Sequence, residues 1–308
     1  MPTLLDFRRR IRSVKSSQQI TRAMKFVAAA RLRRAQEAAL AARPYAQELA
    51  RLLRSVMSRI QDVSDPLMAQ REEKNILAIV MTGERGLAGA FNANILRKAN
   101  EFFRANNGKK IITIPVGKKG RDSLKKAGFN FAGEYVNVLA RVEFKTAREI
   151  ANLAAQLYIE EKIDAVYLIF SEFKSVVSVN LAVEKLLPIE KMVEAPDAGH
   201  DPRHDAERVA HGEKKQTEQD SAQIDYIYEQ PAEQLLNKLL PRYVETQVLR
   251  AMLESSASEY AARMTAMEAA TKNAGEVIEA LTLHMNKVRQ AAITTEIIEI
   301  VSGANYGK

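Results

Sequence analysis

Two long stretches at opposite ends of the chain carry the apolar spacing of helices. From Thr3 to Arg43 there is neither glycine nor proline, and apolar residues recur at steps of mostly three or four. Because a proline can kink a helix without ending it, we expect this helix to pass Pro44 and to reach about Arg59, before the turn-forming sequence DVSDP. The predicted apolar positions are Leu4, Phe7, Ile11, Val14, Ile20, Met24 and Val27.

The second stretch runs from Arg242 to Ser302 and contains no proline and only Gly275. Its apolar face follows alternating steps of four and three residues, the spacing of a coiled-coil seam. A helix of this length measures about 90 Å, roughly three times the diameter of a small domain, so it must project. The seam positions are Tyr260, Met264, Met267, Thr271, Ala274, Ile278, Leu281, Met285 and Val288.

Residues 75–190 alternate between short strands and short helices. The segments NILAIVMT, KKIITIPVG, DAVYLIFSEF and SVVSVNLAVEKLLP have the composition of strands, and NANILRKANEFFRANN, RDSLKKAG and 142–162 that of helices. This alternation predicts an α/β layer domain. Because that domain separates two long amphipathic helices, we expect the helices to pair antiparallel and bury their apolar stripes against each other.

The predicted fold is therefore α/β, with a long antiparallel coiled coil of the N- and C-terminal helices and a Rossmann-like α/β domain. Residues 1–62 form the first coiled-coil helix, 75–230 the α/β domain and 231–308 the second helix. Residues 193–222 are too polar to form a core and are predicted to be a mobile insertion. They contain His200, His204 and His211. A metal site is conceivable there, but we favour solvated histidines and expect no metal.

The amino-acid composition excludes several kinds of functional site. There is no cysteine, which excludes disulfides, thiolate nucleophiles, cysteine-bound zinc and iron–sulfur clusters. The longest apolar run, 76–81, is far shorter than the ~20 residues that cross a bilayer. The first residues lack the apolar stretch of a signal peptide. We expect a soluble protein on the cytosolic side.

Positive charge is concentrated at the N-terminal end. The chain has 46 Lys and Arg against 38 Asp and Glu, a net charge of +8. Residues 1–60 alone contain 14 basic and three acidic residues, a net charge of +11. The first helix is therefore expected to face an acidic partner, which could be nucleic acid, a membrane surface or an acidic protein.

The glycine-rich segment GERGLAGAFN lies between a predicted strand and a helix, where phosphate-binding loops occur. It matches neither GxxxxGK[ST] nor GxGxxG, so we favour a tight turn that presents Glu84 and Arg85 to a partner. His284 is the only histidine outside the polar insertion, and no catalytic constellation is recognisable. A nucleotide-using enzyme and a coiled-coil nucleic-acid binder remain as alternatives.

Four contiguous stretches carry a family resemblance. They are MKFVAAARLRRAQ (24–36), ERGLAGAFN (84–92), ARMTAMEAATKNA (262–274) and VRQAAITTEIIEIVSGA (288–304). In sequence and in order along the chain they resemble the gamma subunits of rotary (F-type) ATP synthases of the bacterial type. Ala88 stands where many members carry cysteine, and Glu84 where aspartate is common.

The resemblance implies a non-catalytic rotor stalk without a cofactor. The coiled coil would lie inside a hexamer of alpha and beta subunits, and the α/β domain would sit with the epsilon subunit on the membrane-embedded c-ring. The expected location is peripheral, on the cytoplasmic side of the cell inner membrane, and no nucleic-acid partner is expected. The implied beta-subunit contacts are Arg289, Gln290, Arg85, Met24 and Lys25, and the implied c-ring contacts are Tyr226, Tyr228 and Glu229.

Overall fold

The computed structural model describes residues 3–58, 65–176, 178–189 and 231–306. The polar insertion 193–222 lies outside these residues, so it and the predicted domain limits stay predictions. The helices and strands, in chain order, are α1 (Leu4–Ser58), β1 (Asn75–Met81), α2 (Phe91–Ala105), β2 (Lys110–Val116), α3 (Lys118–Lys126), β3 (Asn130–Phe131), α4 (Phe144–Ile159), β4 (Ala165–Phe173), β5 (Val179–Leu187) and α5 (Ala232–Tyr306). A short 3₁₀ turn, Pro66–Met68, precedes β1.

Helices α1 and α5 form the predicted antiparallel coiled coil. The rings of Phe7 and His284 are tilted against each other with centroids 5.0 Å apart. Arg31, which follows Phe7 in α1, lies over the ring of Tyr260, which precedes His284 in α5, so the two helices run antiparallel. All nine predicted seam positions of α5 are buried or half-buried. Helix α1 continues through Pro44 to Ser58, as expected.

The seam of α1 differs from the predicted one. Ile20 and Val27 are 58% and 53% exposed. The inward-facing positions follow regular steps of four and three from Phe7, and this count passes through polar residues. They are Phe7, Ile11, Val14, Gln18, Thr21, Lys25, Ala28 and Leu32, all buried or half-buried.

Helix α5 begins ten residues before the proline-free stretch that starts at Arg242, and it includes Pro241. This first part is helical because its apolar face packs into the core of the α/β domain. Leu236, Leu240 and Val244 are buried there together with Leu53 and Val56 of α1. Both coiled-coil helices are therefore rooted in the same core. At 75 residues, α5 is about 110 Å long.

The five-stranded sheet has the order β3-β2-β1-β4-β5. Strands β3, β2, β1 and β4 are parallel, and β5 is antiparallel to β4. Helices α2 and α3 cover one face of the sheet, and α4 with the lower parts of α1 and α5 covers the other. The four predicted strands are confirmed, whereas the two-residue strand β3 was missed. Within the described ranges, no helix is long and apolar enough to cross a membrane.

Candidate functional site

The glycine loop, residues 82–90, connects β1 to α2 and is held by hydrogen bonds to its own domain. The Glu84 carboxylate accepts from the backbone N–H of Lys118 at 3.0 Å and of Val138 at 3.2 Å. The Asn92 side chain accepts from the N–H of Gly83 at 2.8 Å. Glu84 is therefore held by its own domain, where its carboxylate caps the start of α3, and its contact with a partner stays a prediction. Arg85 is exposed at the tip, as expected.

The inner side of this loop is filled by α5. A Cβ atom on Gly83 would lie 2.8 Å from the carboxyl carbon of Glu259, so a larger residue here would require the Glu259 side chain to shift. Arg263 donates to the carbonyl oxygen of Gly86 at 3.5 Å and pairs with Glu259 at 2.6 Å. Burial raises the pKa of Glu259, and Arg263 opposes this effect.

The packing of α5 against the glycine loop argues against the nucleotide-binding alternative. In open α/β sheets, ligands bind beyond the carboxyl ends of the strands where the strand order reverses. Here the order reverses between β1 and β4. Side chains of α5 occupy that position, since Ser258 donates to the Ser171 carbonyl at 3.1 Å on the β4 side and Glu259 lies against the glycine loop on the β1 side. The crevice is thus closed by the chain itself and serves as a joint between domain and coiled coil.

Lys25 belongs to the coiled-coil interface. Its ammonium group lies 2.6 Å from Glu268 of α5. One turn away, the hydroxyls of Thr21 and Thr271 lie 2.8 Å apart. The predicted beta-contact residue Lys25 therefore already has a partner within the chain. Its neighbour Met24 is half-buried.

Three apolar side chains on the outer sides of α1 are exposed beside this polar section of the coil. They are Ile20, Phe26 and Val27, exposed by 58%, 62% and 53%, and we call them the shaft patch. Ile20 and Val27 share one side of the helix, and Phe26 lies on another. Sequence reasoning placed Ile20 and Val27 in the interface and gave Phe26 no role. A heptad count from Phe7 would have assigned all three to the outside, because it places residues 18, 21, 25 and 28 inward.

Arg289 and Gln290 are exposed on the last part of α5. They lie 26 residues or more beyond Arg263, which is about 39 Å along the helix, so the structure does not bring Arg85 and Arg289 together. Beyond them, α5 extends past the start of α1 and exposes a series of apolar residues. These are Ile293, Ile297, Ile298, Ile300 and Val301.

Several predicted site residues lie outside the described residues. Tyr226, Tyr228 and Glu229 are among them, as are His200, His204 and His211. In the part of the chain that the structure describes, no group of three or more His, Cys, Asp or Glu side chains is arranged to hold a metal ion.

Comparisons with known proteins agree with this architecture. A family model described as ATP synthase matches residues 3–305. The chain is 46% identical over 308 residues to the ATP synthase gamma chain of Solibacter usitatus and 43% identical over 311 residues to that of Chlorobaculum parvum, each alignment covering 99% of both chains.

Solved structures with a similar fold are rotor components. One chain of the Euglena gracilis mitochondrial ATP synthase rotor superposes with a TM-score of 0.61 at 21% identity, covering 94% of this chain and 98% of that one. A chain of the Tetrahymena thermophila mitochondrial ATP synthase central stalk and c-ring superposes with a TM-score of 0.57 at 26% identity, covering 82% and 99%. The coiled coil rooted in an α/β domain and the full-length identity to curated gamma chains together place this chain in the ATP synthase gamma-chain family.

Proposed function

We propose that this chain is the central rotor stalk of a proton-translocating ATP synthase. It transmits torque between the membrane c-ring and the catalytic alpha/beta hexamer, and so couples proton flow to ATP synthesis or hydrolysis. The observation that carries the proposal is the continuity of α5, a single 75-residue helix that belongs both to the core of the domain and to the coiled coil. Rotation of the domain must therefore turn the shaft.

The joint between domain and shaft is suited to carrying torque. Beside the buried apolar residues, α5 donates hydrogen bonds to the domain from Ser256 to the Leu139 carbonyl at 2.9 Å and from Ser258 to the Ser171 carbonyl at 3.1 Å. Arg250 of α5 also pairs with Glu184 of β5. Close-packed and hydrogen-bonded contacts leave little freedom for the shaft to turn independently of the domain.

In this proposal the chemistry takes place in the partner subunits. The shaft is asymmetric, so each orientation makes different contacts with the three catalytic sites around it, and these differences shift each site between conformations. The basic surface of α1 then faces acidic protein loops. The attraction between these charges acts without direct contact, but at physiological salt it is screened beyond about 8 Å. The chain would lie peripherally at the cytoplasmic side of the inner membrane.

The beta-subunit contacts fall into separate regions of the shaft. Arg289 and Gln290 lie near its tip, Arg85 lies at its base, and the shaft patch with Met24 lies between them. Lys25 contributes through its pair with Glu268 and so sets the shape of this surface. The epsilon subunit and the c-ring are the proposed partners of the α/β domain, with Tyr226, Tyr228 and Glu229 as predicted c-ring contacts.

Reconstitution of an alpha/beta hexamer with and without this chain tests the proposal. We expect the chain to co-purify with the hexamer and to raise its ATPase turnover. Unchanged turnover together with no co-purification would refute the rotor role.

The Arg289 contact is tested in the same assembly. Arg289→Ala should lower the activation of hydrolysis about tenfold while leaving co-purification intact, because one charge-assisted hydrogen bond is worth about 1.5–3 kcal/mol. Lys287→Ala, an exposed cation on the same helix, is the matched control and should change neither. Equal loss of activation and assembly in Arg289→Ala would make Arg289 a structural residue.

A further inference from the structure

The layer formed by α2 and α3 carries a second concentration of positive charge, which torque transmission does not use. Residues 91–126 contain ten Lys or Arg and two Asp or Glu, a net charge of +8. This equals the net charge of the whole chain, although the segment is 36 residues long.

Most of these basic side chains form no ion pair with a residue that the structure describes. Lys109 pairs with Glu73 at 2.9 Å and Arg121 with Asp122 at 2.9 Å. The remaining eight form no ion pair with any described residue, and seven of them are exposed. We call these eight the basic face. They are Arg97, Lys98, Arg104, Lys110, Lys118, Lys119, Lys125 and Lys126.

Most basic side chains on the rest of the domain surface form ion pairs. Lys74 pairs with Glu72, Lys162 with Glu160 and Arg148 with Glu245, at 2.9, 2.7 and 3.4 Å. Outside the layer only Arg85, Lys145 and Lys174 of the described domain form no ion pair with a described residue, so the layer is distinguished by the density of its unpaired charge.

Apart from Lys118 and Lys119, which begin α3 beside the glycine loop, the basic face points away from the coiled coil. The apolar sides of α2 and α3, including Phe91, Ile95 and Leu124, pack onto Val80 and Ile169 of the sheet, so their charged sides face outward. The coiled coil packs against the opposite face of the sheet and leaves the domain at the strand ends, beside the glycine loop.

The lower end of the basic face lies far from the shaft tip. Helix α2 ends and β2 begins at the edge where the parallel strands start, opposite to the edge that contacts α5 at Glu259. Arg104 and Lys110 lie at this edge, and Lys125 and Lys126 end α3 beside them. This is the end of the domain that the proposed rotor would turn toward the c-ring.

The residue types of the basic face indicate the kind of partner that it can bind. Six of the eight bases are lysines, and among the described residues no large apolar side chain between 91 and 126 is exposed. Stable protein interfaces are depleted in lysine and depend on buried aromatic, apolar or arginine anchors, which this face lacks. A diffuse anionic surface needs no such anchors, because each base near it raises the partition coefficient about fivefold.

We propose that the basic face contacts the headgroups of anionic phospholipids. The inference rests on the proposed function, which places this domain beside the membrane-embedded c-ring. The contact is electrostatic and involves no insertion, so it is salt-sensitive and fluid, and it permits the rotor to turn. Its reach is limited to about 8 Å at physiological salt.

Vesicle sedimentation of the gamma–alpha–beta assembly tests this proposal, since the proposed function encloses the basic N-terminal part of α1 in the hexamer. We expect binding to phosphatidylcholine vesicles that contain about 30% phosphatidylglycerol at about 0.05 M salt, and release at about 0.5 M. The variant R104Q/K110Q/K125Q/K126Q should lower the partition coefficient at least about twentyfold. The control R33Q/R141Q/K145Q/K174Q removes the same charge from exposed positions away from this edge and should stay within about threefold of the wild type.

Equal loss in both variants would overturn the proposal, because net charge and not the basic face would then govern binding. Equal binding to pure phosphatidylcholine vesicles, or no binding, would also overturn it. So would tighter binding of a DNA duplex of about 20 base pairs that the same four substitutions abolish, since the face would then be a nucleic-acid site. Failure of the wild type to co-purify with the hexamer refutes the rotor role separately. In that case the same vesicle comparison on the full chain alone still decides the lipid contact.

Discussion

Glu254 of α5 is a carboxyl group whose burial should make the stability of this protein fall as pH rises. Its side chain lies at the junction of α1, α5 and the sheet, and only 9% of the residue is exposed. Its Oε2 atom has no hydrogen-bond partner among the described residues, and its Oε1 atom is 4.0 Å from Arg250. Burial raises the pKa of Glu254 to about 7 from 4.5; Arg250 and Arg43 lower it, and Glu172 and Glu184 raise it further.

The size and sign of the effect follow from proton linkage. The unfolded chain releases the proton of Glu254 near pH 4.5, and the folded chain releases it near pH 7. Between these values the folded state binds more protons, so its stability falls as pH rises through this window and is constant above it. A tenfold change in proton affinity is worth about 1.4 kcal/mol, which makes the full loss about 3 kcal/mol.

Urea unfolding of the full chain, followed by circular dichroism, measures this loss. Glu254→Gln keeps the shape and cannot ionise, so its stability relative to the wild type should rise by about 3 kcal/mol between pH 5 and pH 8. Glu276→Gln, at an exposed position of the same helix, is the control and should show no such change. A wild-type-to-Glu254→Gln difference that is the same at both pH values, within about 0.5 kcal/mol, would refute the reasoning.

Three further predictions concern the joint and the domain, and urea unfolding midpoints check each of them. Leu53→Ala should cost about 2–5 kcal/mol because Leu53 is fully buried where α1 enters the domain core, whereas exposed Leu40→Ala should cost under about 1 kcal/mol. Gly117→Ala should cost more than about 3 kcal/mol, since the new Cβ atom would lie 1.9 Å from the Thr82 carbonyl oxygen; Gly108→Ala has a similar positive φ and open space, and should cost about 1 kcal/mol. Burial raises the pKa of Glu73, but hydrogen bonds from Lys109, Lys185 and Tyr167 outweigh it and hold the pKa at about 2. Wild type should therefore exceed Glu73→Gln by about 1–2 kcal/mol at pH 7 after discounting for solvent screening, and this advantage should shrink as pH falls from about 4.5 to about 2.

Local sequence patterns were sufficient for the long helices, for every strand except β3, and for the pairing of α1 with α5. The seam of α5 could be read directly, because its four-and-three spacing is carried mainly by apolar side chains from Tyr260 to Val288. The alternation of strands and helices in residues 75–190 identified the α/β domain for the same reason. The family resemblance rested on contiguous motifs, which need no three-dimensional information.

Tertiary contacts decided which residues of each element face inward. Ile20 and Val27 are as apolar as true seam residues, but the phase set by Phe7 and Leu32 turns them outward and brings Thr21 and Lys25 in against Thr271 and Glu268. An apolar pattern with two competing stripes does not say which stripe faces inward. A heptad count from Phe7 gives the observed phase, but only the partner helix selects it over the alternative. Tertiary contacts also explain why α5 extends before Arg242. Leu236 and Leu240 are buried only when the domain core forms.

For the glycine loop, too, the sequence predicted some features and only the fold shows the others. Its sequence determined a tight turn between a strand and a helix, with Arg85 exposed at the tip. Only the folded chain shows that Glu259 packs closely against Gly83 and that Glu84 caps α3. Gly83 and Glu259 are far apart in sequence, and no local pattern records a contact between residues that only the fold brings together. The sequence by itself therefore determined the parts of this protein and their family, whereas the tertiary structure decided how those parts are joined, because the joint is made of non-local contacts.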